Sequence, residues 1–186
     1  KVGVGIADVM CGMYAAVSIL SAIHYRNNGG TGQYIDLALL DSQAAWLINS
    51  GLNYLTSGQD QFRLGNAHPN IVPYQLFKTS DGYFVLAVGN NSQFKKFCKL
   101  AGLSKLAEDS RFKNNSDRVL NREILVSLIN DVTKKNTTKY WLDGLEKLHV
   151  PCGPVNTVKE VFADCQIKHR EMQISMQHKF SGKNEI

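Results

Sequence analysis

The sequence predicts an α/β protein in which part of a larger α/β domain is followed by a smaller, separate α+β domain. Three observations lead to this prediction. Residues 1–58 carry the pattern helix, strand, helix; a polar segment rich in Gly, Asn and Pro follows at 59–70; and residues 71–165 begin with two strands and continue with helices. We expect 59–70 to be a linker and lid loop, and the polar tail at 166–186 to be a return linker.

The first region begins with a predicted helix from Asp8 to about Asn28, where apolar residues recur at helical spacing and a run of Asn and Gly then follows. A short apolar strand is predicted at 33–39, and a second helix from Asp41 to about Leu55. One strand cannot form a sheet, because each strand needs hydrogen-bonded neighbours. We therefore expect the partner strands to lie outside this sequence, which begins with Lys and looks truncated.

The second region begins with a predicted β-hairpin. Apolar runs at 74–79 and 83–88 flank Asp81-Gly82, and Asp-Gly between two such runs is a strong hairpin signal. Helical patterns follow at 92–101, 118–130 and 137–148, then a short extended piece at 155–157 and a helix at 158–163. The region is therefore predicted to be α+β and separate from the first.

Composition excludes several classes of partner. The 186 residues carry a net charge of +5, but the basic residues are scattered and form no stripe with aromatics, so no nucleic-acid partner is expected. The apolar stretch at 9–23 is interrupted by Gly, Tyr and Ser and is shorter than the roughly 20 residues of a membrane span, so no membrane partner is expected. Neither the opening nor the widely spaced cysteines suggest secretion, which favours an intracellular protein, cytoplasmic or in an organellar matrix.

Asp8 and His68 are the side chains with the clearest chemical potential. Gly3 and Gly5 match two glycines of a dinucleotide fingerprint, but Asp8 occupies the place of the third and would repel a pyrophosphate. Asp8 is either a helix N-cap or a carboxylate nucleophile, and the two are compatible because a helix start favours the ionised form. His68 lies in a turn-rich segment, where it is either solvated or part of a site.

Several short motifs occur in a fixed order along the chain: GIADVMCGMYAA at 5–16, GTGQYID at 30–36, GNAHP at 65–69 with PYQLF at 73–77 and DG at 81–82, and VPCGPV at 150–155. In this order and spacing, from residue 1 to about residue 178, they resemble the family III coenzyme A transferases, also called the CaiB/BaiF family. Each motif alone is weak, but the ordered set is specific.

The resemblance implies an enzyme of about twice this length, with a Rossmann-like large domain, a smaller α+β domain and an interlocked homodimer. Members move coenzyme A from an acyl-CoA donor to a carboxylic acid acceptor. By this resemblance Asp8 is the catalytic residue: its carboxylate attacks the thioester, and an aspartyl-CoA thioester follows through a mixed anhydride. No metal or bound cofactor is implied, since coenzyme A is a substrate.

The resemblance also implies that Gly65, Asn66 and His68 contact the substrate. Only Gly65 of the formyl-CoA branch's glycine-rich lid is kept here, so the segment is more similar to branches acting on larger acids such as carnitine or dicarboxylic acids. Two alternatives stay open: a 2-methylacyl-CoA racemase, which shares the fold and uses the matching aspartate with an upstream histidine, and a non-catalytic fragment. We expect the 186-residue piece alone to be inactive.

Overall fold

The computed structural model describes residues 3–180 and 182–185. The chain divides into two compact units, Lys1–Arg63 and Leu64–Ile186, which we call unit 1 and unit 2. The division falls inside the segment predicted as linker and lid loop. Residues 1 and 2, and positions 181 and 186 of the predicted return linker, lie outside the described residues.

The regular secondary structure in the described part of unit 1 is helical. It contains α1 (Ile6–Asn27), α2 (Leu39–Ala45) and α3 (Ile48–Ser57). The strand predicted at 33–39 is wrong for this structure: residues 30–38, between α1 and α2, have no regular structure, because no neighbouring strand is present in the described part to pair with them. The single predicted second helix is divided in two, and Ile48, where α3 begins, has a left-handed φ of 41°.

The helix α1 has nearly the predicted length, but it is longer than the apolar stretch at 9–23. It has 22 residues, because the Gly, Tyr and Ser residues within it do not interrupt the helix, and an 18-residue stretch of it has a mean hydropathy of 1.8. By length and composition alone it could cross a membrane, so the argument that this stretch is too short is wrong. One such helix is weak evidence for a membrane, since a core helix of a soluble protein meets the same criterion.

Unit 2 contains a three-stranded antiparallel sheet in the order β1-β2-β3. The predicted hairpin is confirmed: β1 (Tyr74–Lys78) pairs with β2 (Tyr83–Ala87), with Phe77 opposite Phe84. The third strand, β3 (Cys152–Pro154), pairs with the other edge of β2. The extended piece predicted at 155–157 therefore lies a few residues earlier, where its backbone finds hydrogen-bonding partners on β2.

Helices surround this sheet and fill the remainder of unit 2. The helices predicted at 92–101 and 137–148 are confirmed, with ends that differ from the prediction by one residue. The helix predicted at 158–163 is confirmed with the same bounds. The helix predicted at 118–130 is two helices separated at Asn121, whose φ and ψ of −106° and 27° are not helical. A hairpin in the tail completes the unit. The elements are α4 (Asn91–Leu100), α5 (Asn115–Leu120), α6 (Arg122–Thr133), α7 (Thr138–Lys147), α8 (Val158–Ala163), α9 (Cys165–His169), β4 (Ser175–His178) and β5 (Gly182–Glu185).

The hydrophobic core of the described chain lies in unit 2. Trp141 on α7 is fully buried; its ring stacks on Phe84 at 6.0 Å and its indole N–H donates to the carbonyl of Thr133 at 2.9 Å. Arg118 is also fully buried. Its guanidinium links two segments of the chain, because it donates to the carbonyls of both Val72 and Phe112. This core fixes the sheet and α6, which together position the loop described below.

Candidate active site

Asp8 lies in the first turn of α1, with its side chain exposed. The N-cap of α1 is Gly5, so the interpretation of Asp8 as the N-cap is wrong: the helix begins earlier than predicted, at Ile6. The backbone N–H of Asp8 donates to the carbonyl of Gly5 at 3.1 Å, but no described group donates a hydrogen bond to the Asp8 carboxylate. The carboxylate is therefore not occupied in capping its own helix.

The Asp8 carboxylate folds back over the residue that precedes the helix. A Cβ at Gly5 would lie 2.9 Å from Asp8 Oδ2, closer than side-chain atoms normally approach. Gly5 has a φ of −70°, which any residue adopts, so the backbone alone does not require glycine there. The absence of a side chain instead leaves room for the carboxylate in this position.

A cavity of about 630 Å³ opens at the same end of α1. At the start of the helix the N–H groups of Ile6 and Asp8 donate to the carbonyls of Val4 and Gly5, so the helix offers mainly the positive end of its dipole. Trp46, which follows α2, supplies an apolar wall, and Gln43 supplies an amide. The lining residues are Gly3, Val4, Gly5, Ile6, Ala7, Gln43 and Trp46. The combination suits a group that is partly apolar and develops negative charge.

In unit 2, the segment that carries His68 lies along the outer edge of β1. The backbone N–H of His68 donates to the carbonyl of Tyr74 at 2.9 Å, and the Asn66 side-chain oxygen accepts from the N–H of Leu76 at 2.8 Å. The His68 ring stacks on the Tyr74 ring, with centroids 5.2 Å apart. Gly65 makes the turn into this segment with a φ of 63°, a left-handed conformation that favours glycine.

The hydrogen bonds of His68 determine which ring nitrogen carries the proton. The backbone N–H of Asn70 donates to Nδ1 at 3.0 Å, so in the neutral ring Nε2 is protonated. Burial lowers the pKa of His68 below its usual value, and the positive charge of Arg122 lowers it further. Both effects favour a neutral imidazole whose Nε2–H is a hydrogen-bond donor.

The structure gathers three of the predicted site residues in one place. Gly65, Asn66 and His68 belong to one loop of unit 2, whereas Asp8 belongs to unit 1. Sequence reasoning did not find Arg122, whose guanidinium donates to the carbonyls of His68 and Pro69. An Arg at the start of a helix, 54 residues from His68, gives no signal in the sequence that connects it with the loop.

Two of the cysteines are poor alternatives to Asp8 as a nucleophile. Cys98 is fully buried, and burial raises the pKa of its thiol to about 12. The pKa of Cys152 is also raised, by burial and then by the negative charge of Glu146. Since the thiolate is the reactive form, neither group is activated. Within the described ranges, no cluster of three or more His, Cys, Asp or Glu side chains could hold a metal ion.

The model of CoA-transferase family III matches residues 1–185, and the chain belongs to that family. Among curated proteins, a succinate–glutarate CoA-transferase of Agrobacterium fabrum is 41% identical over 95% of this chain and 44% of its own length. The human succinyl-CoA:glutarate CoA-transferase is 40% identical over 99% of this chain and 42% of its own.

A solved structure is similar over nearly the whole chain. A CaiB/BaiF family protein from Brucella suis superposes with a TM-score of 0.73 at 43% identity, covering 99% of this chain and 51% of that one. The chain thus spans less than half the length of the two curated relatives and about half of this structure.

Proposed function

We propose that the protein containing this chain transfers coenzyme A from an acyl-CoA donor to a carboxylic acid, with Asp8 as the nucleophile. The observation that carries the proposal is the exposed Asp8 carboxylate, which no described group engages and which lies close to Gly5, a residue that lines the cavity at the start of α1. Succinate and glutarate occur in the names of the two curated relatives, so we propose short dicarboxylates as the acids exchanged.

The reaction proceeds in two matched halves. The Asp8 carboxylate attacks the donor thioester carbonyl, the C–S bond breaks, and a mixed anhydride and the CoA thiolate result. The thiolate then attacks the Asp8 carbonyl and releases the donor acid, which leaves an aspartyl-CoA thioester. The acceptor carboxylate attacks this thioester, and the thiolate it releases attacks the acceptor acyl carbon, which regenerates Asp8. The steps alternate: carboxylate attack replaces acyl sulfur by oxygen, and thiolate attack replaces acyl oxygen by sulfur.

The start of α1 provides what the tetrahedral intermediates of this sequence require. Each intermediate carries an oxyanion, which backbone N–H groups and a helix N-terminus stabilise. The apolar wall at Trp46 would exclude water from the anhydride and the thioester, which water would otherwise hydrolyse. Because the carboxylate itself is the nucleophile, the steps call for no resident cofactor or metal.

The loop at Gly65, Asn66 and His68 is proposed to bind the acid. A neutral His68 with its proton on Nε2 donates a hydrogen bond to a carboxylate or carbonyl oxygen without transferring the proton to it. The nearby guanidinium of Arg122 adds positive charge, which favours a dianion over an uncharged acid. This role accounts for a half-buried histidine in a loop otherwise built from small residues.

The remaining parts of the longer protein are proposed to form an interlocked homodimer that covers α1. No residue of α1 is buried among the described residues, although the helix is strongly apolar. Exposed apolar surface of this extent is typical of a surface that another chain segment covers.

The racemase alternative is not favoured, since the curated relatives reported above carry CoA-transferase names.

The nucleophile is tested by trapping on the longer protein. After incubation with succinyl-CoA and treatment with borohydride or hydroxylamine, we expect mass spectrometry to find the modification on Asp8. Asp8→Asn, which keeps size and polarity but removes the nucleophile, should lower kcat by about 10³-fold or more. An adduct on another residue, or wild-type turnover by Asp8→Asn, would contradict the assignment.

The role of His68 is tested by His68→Ala in the same protein. We expect the KM for the acceptor acid to rise by about 10- to 100-fold with little change in stability, since a hydrogen bond to a charged group is lost. A large drop in melting temperature with unchanged kinetics would instead assign His68 a purely structural role.

A further inference from the structure

Arg122, the first residue of α6, holds the loop that carries His68. Its Nη2 donates to the carbonyl of His68 at 2.9 Å and to the carbonyl of Pro69 at 2.7 Å. Two consecutive carbonyls can share one nitrogen only if the backbone between them is bent toward it. The guanidinium therefore fixes the backbone conformation at His68 itself.

The opposite side of the same loop is held by β1. The His68 N–H donates to Tyr74, and the imidazole stacks on the Tyr74 ring with an angle of 18° between the planes. The Asn70 N–H, two residues on, donates to Nδ1. His68 is thus fixed at its backbone by Arg122 and Tyr74 and at its ring by Tyr74 and Asn70.

The position of the Arg122 side chain is not explained by packing alone. Its Nη1 is buried and has no hydrogen-bond partner among the described residues, and burial lowers the pKa of the guanidinium. A buried donor without a partner carries a cost in stability, which a shorter or apolar side chain would avoid. Keeping the full guanidinium there requires a benefit beyond filling the space.

We propose that Arg122 is a positioning residue for acid binding: it holds the His68 backbone so that the Nε2–H is presented to a carboxylate of the acid, and its charge attracts that dianionic acid. This inference rests on the proposed function of His68. It adds the element that orients the histidine, and it places part of the selectivity for dicarboxylates on α6.

The test uses the longer protein with three substitutions. Arg122→Met removes the charge and both hydrogen bonds, whereas Arg122→Lys keeps the charge and a donor. Arg111→Met is the matched control, because Arg111 is an exposed Arg of the same unit whose partner is Asp109. For each variant we would measure the KM for glutarate, the rate of adduct formation on Asp8 from succinyl-CoA, and the pKa of His68 by NMR.

We expect Arg122→Met to raise the KM for glutarate by about 10-fold or more and to raise the pKa of His68, since a nearby positive charge is removed. Adduct formation on Asp8 from succinyl-CoA should slow less than the use of glutarate, because the succinyl group presents one carboxylate whereas free glutarate binds as a dianion. Arg122→Lys should restore most of both properties, and Arg111→Met should leave them as in the wild type. A purely structural role of Arg122 would not selectively affect the acceptor half-reaction.

The outcomes separate this inference from the proposal beneath it. If His68→Ala raises the KM for glutarate but Arg122→Met does not, the inference is overturned and the role of His68 stands. If His68→Ala has no effect on that KM, the proposed role of His68 fails first, and the inference fails with it. If Arg122→Met does not fold, Arg122→Gln takes its place, and a wild-type KM and His68 pKa in that variant overturn the inference.

Discussion

Unit 1 and unit 2 differ in where their apolar side chains lie. In unit 2 a contiguous core of buried residues extends from Val72 to Val150. In the described part of unit 1, Ser42 is the one buried residue, and α1 exposes large apolar side chains such as Leu20 and Val17. Both units are built largely from amphipathic or apolar helices, so their composition does not explain the difference.

The difference shows what holds the candidate residues of each unit in place. The loop of His68 is attached to a core that is complete within unit 2, so its geometry is set by residues of this chain. The Asp8 site lies on an apolar helix of which no residue is fully buried among the described residues. Precise placement of Asp8 therefore depends on whatever packs against α1, whereas placement of His68 does not.

The two tryptophans of the chain provide the strongest test of this contrast. Trp141 is fully buried in unit 2, whereas Trp46 in unit 1 is 38% exposed. We expect Trp141→Ala to lower the free energy of unfolding of the 186-residue chain by about 3–5 kcal/mol, and Trp46→Ala by less than about 1. Urea unfolding followed by circular dichroism measures both. Equal losses would show that unit 1 has a core comparable to that of unit 2.

The buried arginine of unit 2 is expected to have the next largest effect. Arg118→Met leaves the carbonyls of Val72 and Phe112 without their donor, and we expect a loss of about 2–4 kcal/mol. The control is Arg111→Met, in which an exposed ion pair with Asp109 is lost at a cost of about 0–1 kcal/mol. Thermal unfolding of both variants compares them, and a control as destabilised as Arg118→Met would contradict the importance of burial.

The smallest expected effect concerns Asp81 in the turn of the hairpin. Its Oδ1 accepts from the N–H of Thr138 at 2.7 Å and from the hydroxyls of Thr138 and Thr79. The bond from the Thr138 N–H contributes most to lowering the pKa of Asp81. A carboxyl whose pKa is lower in the folded than in the unfolded state stabilises above about pH 4, and that stabilisation is lost as pH falls through the folded pKa.

Asp81→Asn should therefore lower the melting temperature near pH 7, and the difference from wild type should shrink below about pH 4. Melting curves recorded across this range provide the measurement. A difference that stays constant with pH would mean that the ionised form of Asp81 does not account for its contribution. Because Asp81 joins the hairpin to α7, the effect should appear in the transition of unit 2.

Local chemistry made parts of unit 2 predictable from the sequence. The hairpin follows from Asp81-Gly82 between two apolar runs, and α8 begins at a capping box in which Thr157 and Glu160 bond to each other's backbone. These signals act over a few residues and do not depend on distant parts of the chain. The helix boundary at Asn121 was missed because the side chains on both sides continue an apolar pattern.

Long-range contacts account for what the sequence did not reveal. The strand predicted at 33–39 has the right composition, but a strand is defined by its neighbours, and none pairs with it in the described part. Asp8 was assigned as the nucleophile through a resemblance of ordered motifs, since its position in the sequence also allowed an N-cap. Arg122 could not be found, because its role depends on a loop that the fold brings to the start of α6.

The attachment of the His68 loop to β1 also concerns the solubility of the protein. An unpaired strand edge recruits strands from other molecules, which is a route to aggregation. Here Asn66 and His68 occupy hydrogen-bonding positions at Leu76 and Tyr74 that another chain could otherwise use. The opposite edge is the short strand β3, which ends at a proline. Evolution of the loop toward new substrates is therefore constrained, because changes that release it would uncover a surface prone to self-association.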